Sequence, residues 1–501
     1  MDVKRFGLYL GPAAGLFFFV FTPLDPVDPD ISYTAGIALW MAVWWMLEAI
    51  PLAATSLLPI VLFPFLGVMN GKAVSGYYIN HIVFLFIGGF LVALAMERWD
   101  LHRRIALNIL MFFGVEPKRI LLGFMVATAF LSMWISNTAT AMMMVPIALA
   151  IIVNLESLAT AEQVRPFSLA IFLGIAYSAT IGGIATLVGT PPNLVLARLI
   201  QIIFPAIPEI NFVTWMIFAM PISILFLALT WFILQARYCT GQDNLRIETD
   251  TFQRQIRELG PMTYEQRIIL VDFVLLALLW ISRADITLGS VTIPGWSRLF
   301  PQPSYINDGT VAIFMALILF IIPARTHPRI RLLDWETAKH IPWNIVLLFG
   351  GGFALAGGFK TSGLATWLGH QFVGLNHFPL LAILVLLALF VTFLTELTSN
   401  TATAQILIPI VASLAVDLAI NPLFLLIPAT LSCSFAFMLP VATPPNAIVF
   451  GTNRMTIREM IRVGIWLNLI GAIIIVTAIF LLGGTVFHID LNHFPDWAIL
   501  Q

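Results

Sequence analysis

The chain has 501 residues, of which 60% are hydrophobic and only 10% are charged, and its formal net charge is −1. A mean hydropathy of +0.96 excludes an ordinary soluble domain, and the near-neutral charge gives no reason to expect a nucleic-acid partner. Apolar runs of roughly 17 to 25 residues recur along the chain, which predicts an all-α polytopic membrane protein in contact with lipid rather than a transmembrane β-barrel. The two cysteines, Cys239 and Cys433, lack the spacing of metal ligands, and we expect no bound cofactor.

The apolar runs predict eleven membrane crossings. The first follows Lys4 and Arg5 and is succeeded by PLDPVDPD instead of a small-residue cleavage site, so we expect it to remain as a helix. A cytoplasmic N-terminus places most of the 25 lysine and arginine residues on the cytoplasmic side and the C-terminus outside, as in a bacterial inner membrane protein. The predicted crossings lie near residues 7–23, 33–48, 50–69, 81–97, 166–204, 212–236, 264–283, 308–323, 343–359, 422–451 and 461–484.

Three short sequences recur in the same order in the two halves of the chain, which indicates an internal duplication. They are FIGGF at 86–90 with FGGGF at 349–353, SNTATA at 136–141 and again at 399–404, and GTPPN at 189–193 with ATPPN at 442–446. Each half contains five predicted crossings, and an odd number inverts the second half relative to the first. Inverted-topology repeats are typical of secondary transporters, whose sites lie near the membrane midplane.

The repeats define the predicted domains. An N-terminal helix and outer loop (1–32) precede the first repeat (33–236), a charged cytoplasmic linker (237–263) separates it from the second repeat (264–484), and an extracytoplasmic tail follows (485–501).

Each SNT sequence is predicted to form the tip of a re-entrant helical hairpin. The apolar arms around the first SNT have about 15 residues, or roughly 23 Å of helix, which is shorter than the ~30 Å hydrocarbon layer. Lys118 and Glu156 flank this region, so both ends are expected on the cytoplasmic side. The hairpins are predicted at 118–155 and 379–418, entering from opposite faces and meeting near the middle, since non-helical backbone at that depth needs a protein or water-filled surrounding.

The two TPPN sequences predict broken crossings at 166–204 and 422–451, because consecutive prolines end one helix and suit the first turn of the next. The new helices should begin at Pro191 and Pro444, with Thr190 and Thr443 in the N-cap positions. Helix N-termini at the midplane attract anions, whereas unwound carbonyl groups suit a cation such as sodium.

Neither the SNT nor the TPPN sequences contain Lys, Arg, His or Asp. An anion bound there would be held by amides, hydroxyls, helix dipoles and a co-bound cation, which favours coupling to sodium. Two carboxylates lie in or beside apolar segments. Glu48, near a cytoplasmic helix end, is expected to have an interfacial or structural role, and the sequence leaves the role of Glu396, beside the second SNT, open.

Paired SNT sequences, each followed by a TPPN-type break within an inverted repeat, resemble the divalent anion/sodium symporter family, the di- and tricarboxylate transporters. The resemblance covers nearly the whole chain. It implies a homodimer of elevator-type protomers, in which a scaffold domain forms the dimer interface and a transport domain carries the hairpins and broken helices.

The resemblance also implies the site residues. The first sodium site would use Ser132, Ser136, Asn137 and Gly189, and the second would use Thr395, Thr398, Asn400 and Ala442. The substrate carboxylates would contact Asn137, Thr138, Thr190 and Pro191 in the first repeat, and Asn400, Thr401, Thr443 and Pro444 in the second.

The sequence hypothesis is therefore a sodium-coupled importer of C4-dicarboxylates such as succinate, malate or fumarate. A sodium-independent dicarboxylate exchanger, and citrate or sulfate as the substrate, remain alternatives. An anion channel or an intramembrane enzyme is a different class, and an enzyme is disfavoured because the polar groups are amides and hydroxyls without a His, Asp or Cys constellation.

Overall fold

The computed structural model describes residues 3–114, 116–240, 250–288, 291–326, 329–371, 374, 377–491 and 493–498. Helices form most of this part of the chain, and two short strands, β1 (Ile286–Leu288) and β2 (Val291–Ile293), pair antiparallel. In the first half the helices are α1 (Val3–Phe21), α2 (Pro29–Leu47), α3 (Leu52–Thr55), α4 (Leu58–Phe65), α5 (Gly71–Gly76), α6 (His81–Arg98), α7 (Leu101–Phe113), α8 (Pro117–Ser132), α9 (Asn137–Leu158), α10 (Ala161–Gly183), α11 (Pro191–Ile203) and α12 (Phe212–Tyr238).

The second half begins within the predicted linker 237–263, of which residues 241–249 lie outside the described residues. Its helices are α13 (Asp250–Glu258), α14 (Tyr264–Arg283), α15 (Asp308–Ile321), α16 (Trp335–Ala338), α17 (Trp343–Thr361), α18 (Leu364–His370), α19 (Leu380–Thr395), α20 (Asn400–Asp417), α21 (Pro422–Ser434), α22 (Pro444–Phe450) and α23 (Ile457–Phe487).

Seven helices in the described part of the chain are long and apolar enough to cross a membrane, which agrees with an integral membrane protein. The other predicted crossings fall on helices that are shorter, broken or less apolar, so the count of eleven stays a prediction. One of them, 50–69, is not a continuous helix, because α3 ends at Thr55 and α4 begins at Leu58. The seven spans are Gly71–Arg98, Asn137–Leu158, Glu162–Gly183, Phe212–Tyr238, Trp343–Thr361, Asn400–Asp417 and Ile457–Phe487.

Both predicted hairpin regions consist of two helices joined at the SNT sequence. Helices α8 and α9 meet at residues 133–136, and α19 and α20 meet at 396–399. The second arms are longer than the predicted length of about 15 residues: α9 has 22 residues and α20 has 18. Length alone therefore does not prevent these arms from crossing the bilayer, and the re-entrant path remains a prediction.

The two halves pack reciprocally. Helix α11 of the first half packs against α20 of the second, and α22 of the second half packs against α9 of the first. Within each half, the helix before the break contacts both arms of its own hairpin, α10 with α8 and α9, and α21 with α19 and α20. Matched contacts of this kind are expected when two copies of one motif are related by pseudo-two-fold symmetry.

Candidate functional site

The turn of the first hairpin brings three oxygen atoms together. Helix α8 ends at Ser132 and α9 begins at Asn137, with Ser136 as the N-cap whose Oγ accepts a hydrogen bond from the Ala139 N–H at 3.1 Å. The fully buried Ser132 Oγ donates to the Ala179 carbonyl at 2.7 Å and also lies in hydrogen-bond contact with Asn137 Oδ1. A hydroxyl has one proton and cannot serve two acceptors. This cluster therefore has more acceptor oxygens than protons.

The first helix break closes around this cluster. Helix α10 ends at Gly183, and α11 begins at Pro191, as the sequence predicts. A methyl group on Gly189 would lie 2.4 Å from the Gly183 carbonyl oxygen and 3.0 Å from that of Ser132. A methyl group on Gly183 would lie 2.7 Å from Asn137 Oδ1. The break and the hairpin turn thus approach so closely that only glycine fits at both positions.

Replacing Gly189 with alanine is expected to reduce sodium-dependent transport by roughly tenfold or more, because the added methyl group would displace the carbonyl groups around the oxygen cluster. The measurement is initial uptake of labelled dicarboxylate into proteoliposomes at equal protein density. Gly76→Ala is the matched control, since a methyl group there meets no atom within 4 Å. Equal uptake by the two variants would contradict the importance of this close approach.

Thr186 joins the first break to the first hairpin turn. Its Oγ1 donates to the Met133 carbonyl at 2.6 Å and accepts from the Gly189 N–H at 3.1 Å. The side chain therefore fixes the peptide of Gly189 relative to the turn that follows Ser132. Thr186 is not among the residues predicted from the sequence, because Leu439 occupies the matching position of the second copy and the repeat carries no signal for it.

The second hairpin turn repeats the oxygen cluster of the first. Helix α19 ends at Thr395 and α20 begins at Asn400. The fully buried Thr395 Oγ1 lies 2.7 Å from Asn400 Oδ1 and 2.8 Å from the Cys433 carbonyl oxygen. Again one hydroxyl proton faces two acceptor oxygens. Each turn thus brings together two of the predicted sodium ligands, Ser132 with Asn137 in the first turn and Thr395 with Asn400 in the second.

The second site also differs from the first. Ser399 is the N-cap of α20 but makes no side-chain capping bond, and Thr398 Oγ1 donates to the Leu394 carbonyl at 2.9 Å and lies 2.6 Å from Thr403 Oγ1. Ala442 is buried in the second break, which runs from 435 to 443, but none of the described hydrogen bonds joins it to the hairpin turn. The second predicted sodium set is therefore less closely assembled than the first.

Glu396 connects the second hairpin turn to the second break. The side chain is 3% exposed. Its Oε1 accepts from the N–H groups of Phe437 at 2.7 Å and Met438 at 2.8 Å, and its Oε2 accepts from that of Leu439 at 3.0 Å. Asn468 of α23 donates to Oε1 at 2.8 Å. Glu396 thus plays the connecting role that Thr186 plays in the first repeat. By contrast, Glu48 is exposed and pairs with Lys4 at 3.3 Å, which fits an interfacial position.

The predicted substrate residues lie at the first turns of four helices, α9, α11, α20 and α22. Thr190, Thr401 and Thr443 are buried, whereas Asn137, Thr138, Pro191 and Asn400 are half-buried and Pro444 is exposed. The two N-cap threonines differ, because Thr443 accepts a bond from the Asn446 N–H at 3.3 Å and Thr190 makes no side-chain capping bond. Helices α9 and α22 pack together, as do α11 and α20, so each hairpin arm adjoins the broken helix of the other repeat.

The segments that form the site carry a single formal charge. Residues 132–138, 184–193, 395–404 and 435–446 contain only one charged side chain, Glu396, and its carboxylate is already occupied by backbone N–H groups and Asn468. The available binding groups are hydroxyls, amides, backbone carbonyls and helix N-termini. Such a set can hold a small cation by its oxygens and an anion by its donors and helix dipoles.

Comparison with known families gives a match over most of the chain. The model of the family described as "Sodium:sulfate symporter transmembrane region" matches residues 10–489. Among curated proteins, the sodium-dependent dicarboxylate transporter SdcS of Staphylococcus aureus strain bovine RF122 / ET3-1 is 44% identical over 494 residues, covering 97% of this chain and 92% of that protein. SdcS of strain MRSA252 is 45% identical over the same span.

Solved structures of two other membrane transporters share the fold. Neisseria gonorrhoeae MtrF, from a class described as antimetabolite efflux pumps, aligns with a TM-score of 0.57 at 12% identity, covering 93% of this chain and 96% of that one. The Alcanivorax borkumensis YdaH transporter aligns with a TM-score of 0.52 at 14% identity, covering 90% and 99%. At these identities the likeness concerns the fold alone.

Proposed function

This chain belongs to the sodium:sulfate symporter family, and we infer from that membership that it is a sodium-dependent dicarboxylate transporter. Its substrates are a small dicarboxylate anion and sodium, and it is an integral membrane protein whose relatives are transporters. The structural observation that carries the proposal is the pair of matched oxygen clusters, Ser132 with Asn137 and Thr395 with Asn400, each set at a hairpin turn.

The two clusters are the proposed sodium sites. In each cluster one hydroxyl group contacts two acceptor oxygens but has a proton for only one of them. A lone pair of the hydroxyl oxygen therefore faces a lone pair of the other acceptor. A sodium ion bound to these oxygens relieves that repulsion, since hard cations prefer oxygen ligands. The first site uses Ser132, Ser136, Asn137 and Gly189, and the second uses Thr395, Thr398, Asn400 and Ala442. The second sodium site is the less closely assembled of the two, and its ligands are assigned mainly from the family resemblance.

The dicarboxylate is proposed to bind across the first turns of α9, α11, α20 and α22. Helices α9 and α20 begin with Asn-Thr, whose backbone N–H groups have no partner within the helix, whereas α11 and α22 begin with two prolines, which have no N–H. The partial positive charge of all four helix ends, together with the hydroxyls of Thr190 and Thr443, compensates for the missing Lys and Arg side chains. Bound sodium adds positive charge beside the anion and makes binding of the two species cooperative. The contacting residues are Asn137, Thr138, Thr190 and Pro191 with Asn400, Thr401, Thr443 and Pro444.

Elevator-type alternating access is supported by an asymmetry between the two repeats. Trp134 and Val188, beside the first site, line a small cavity together with Phe273 and Trp280 of α14. Trp134 also stacks on Phe212 with 5.9 Å between ring centroids. The matching positions of the second repeat, Leu397 and Val441, are 69% and 82% exposed. We propose that the hairpins and broken helices form the transport domain, and that α6 and α14 belong to a scaffold that also forms the homodimer interface.

The proposed location is the bacterial inner membrane, with the N-terminus in the cytoplasm and the C-terminal tail outside. The support is the distribution of lysine and arginine, most of which falls in segments that this orientation places inside, while residues 485–501 contain none.

Uptake of labelled succinate into proteoliposomes tests the function. We expect saturable uptake that requires an inward sodium gradient and ceases when choline replaces sodium. Uptake that persists in choline but needs internal dicarboxylate would instead show exchange, and uptake that neither saturates nor responds to sodium would show a channel. Competition by unlabelled malate, fumarate, citrate and sulfate identifies the substrate, with the C4-dicarboxylates expected to compete most strongly.

A further inference from the structure

The asparagine that ends each TPPN sequence has no role in the proposed ligand sets. Asn193 and Asn446 occupy the third position of α11 and α22, and both are completely buried. Their recurrence at the same position of the two repeats is a signal that the sequence itself carries.

Each of these asparagines donates to two carbonyl groups of the preceding helix break. Asn193 Nδ2 donates to the carbonyls of Ile184 at 3.3 Å and Thr186 at 2.7 Å. Asn446 Nδ2 donates to those of Ala436 and Leu439, both at 3.0 Å. Both N–H groups of each amide are therefore used, and in both repeats they close a loop of unwound backbone onto the new helix.

The acceptor side of each amide shows that this closure is costly. Asn193 Oδ1 and Asn446 Oδ1 are buried and have no hydrogen-bond partner among the described residues. An unpaired buried polar oxygen is unfavourable, and an apolar side chain at this position would avoid that cost but would leave two loop carbonyls without donors. The same cost at the same position in both repeats indicates that the paired donors do something that packing does not.

The loops closed by these asparagines carry the proposed backbone ligands. Gly189 lies between the Thr186 carbonyl and Asn193, and Ala442 lies between the Leu439 carbonyl and Asn446. Fixing both ends of each loop limits the directions in which the Gly189 and Ala442 carbonyl groups can point. An unwound segment without such a restraint would lose this orientation, since it has no helical hydrogen bonds of its own.

We propose that Asn193 and Asn446 are positioning residues for the two sodium sites, each holding one unwound loop so that its carbonyl group faces the adjoining hairpin turn. The inference rests on the proposed function. A group that orients a metal ligand typically changes metal affinity by about 10–100-fold when it is lost. Asn193→Leu and Asn446→Leu keep the branched shape in a larger side chain and remove the donors, and Asn193→Ala and Asn446→Ala provide a smaller second pair. Asn344→Leu, at an exposed asparagine of α17, is the control.

Two measurements on detergent-purified and reconstituted protein test the proposal. The first is the thermal unfolding midpoint in choline and in sodium chloride without substrate, because sodium that binds the folded state raises the midpoint. The second is the sodium concentration for half-maximal succinate uptake. We expect each leucine and alanine variant to stay folded in choline with a midpoint lowered by the loss of two buried hydrogen bonds, to lose most of the sodium-induced rise, and to need about 10–100-fold more sodium.

Two results would overturn the proposal. One is a variant with the wild-type response to sodium in both measurements. The other is a variant that is unfolded or strongly destabilised already in choline, since the asparagine would then support the fold itself. Wild-type protein that shows neither a sodium-induced rise nor sodium-dependent uptake would instead refute the proposed function, and the wild-type result is obtained before any variant is compared.

Discussion

Replacing Asn137 or Asn400 with alanine is expected to reduce sodium-dependent dicarboxylate uptake to the level of protein-free vesicles. Each Oδ1 belongs to an oxygen cluster, with Ser132 Oγ in the first and with Thr395 Oγ1 at 2.7 Å in the second. Each residue is also the first of a helix whose N-terminus is proposed to face the substrate. One substitution therefore removes a proposed sodium ligand and a proposed substrate contact together, and because the two sites are coupled, the loss of one also weakens binding at the other.

Folding should survive both substitutions, since Asn137 and Asn400 are half-buried at helix starts and leave the arms of the hairpins intact. The test compares initial uptake rates with the elution volume and thermal midpoint of the same preparations, and Asn344→Ala on the exposed start of α17 is the control. Uptake at the wild-type rate in either site variant would show that the amide is not part of the site.

Replacing Glu396 with alanine is expected to have the largest effect on stability. The substitution leaves the N–H groups of Phe437, Met438 and Leu439 and the amide of Asn468 without their acceptor inside the protein. Each buried donor left without an acceptor costs about 1–3 kcal/mol, so the loss of this carboxylate should lower the free energy of unfolding substantially. Because the same bonds hold the second break against the second hairpin turn, uptake should be lost as well.

The thermal unfolding midpoint and uptake of Glu396→Ala are measured beside Glu396→Gln and Glu48→Ala. The glutamine keeps one acceptor oxygen and should fall between alanine and wild type. Glu48→Ala removes only an exposed pair with Lys4, which is worth about 1 kcal/mol or less. A midpoint of Glu396→Ala equal to that of Glu48→Ala would rule out a connecting role for this carboxylate.

Local chemistry explains what could be predicted from the sequence. The starts of α11 at Pro191 and α22 at Pro444 follow from consecutive prolines, which act within one turn of their own position. The starts of α9 and α20 at the two SNT sequences are local in the same sense. Repetition then indicated that both features belong to one site, because chance does not preserve their order.

Helix ends and long-range contacts were harder to predict. Hydropathy indicates where the chain leaves lipid, but α9 continues through the mixed sequence NLESL at residues 154–158 and ends just before Thr160, the N-cap of α10. The helix is therefore longer than its apolar part. Each helix break is joined to a hairpin turn that lies far away in the sequence, and the two repeats use different groups. In the first repeat the Thr186 hydroxyl binds the Met133 carbonyl, and in the second the Glu396 carboxylate binds the N–H groups of residues 437–439. A repeat-based comparison detects only what the two copies share.

In the proposed binding mode a dicarboxylate is held between two hairpin turns and two helix breaks without any basic side chain. The most direct test is a cryo-electron microscopy map of the protein in lipid nanodiscs, recorded in sodium with succinate and again in choline without it. We expect added density that contacts Asn137, Thr138, Asn400 and Thr401 only in the first map. Succinate density that instead lies against a lysine or arginine, away from both SNT turns, would contradict it.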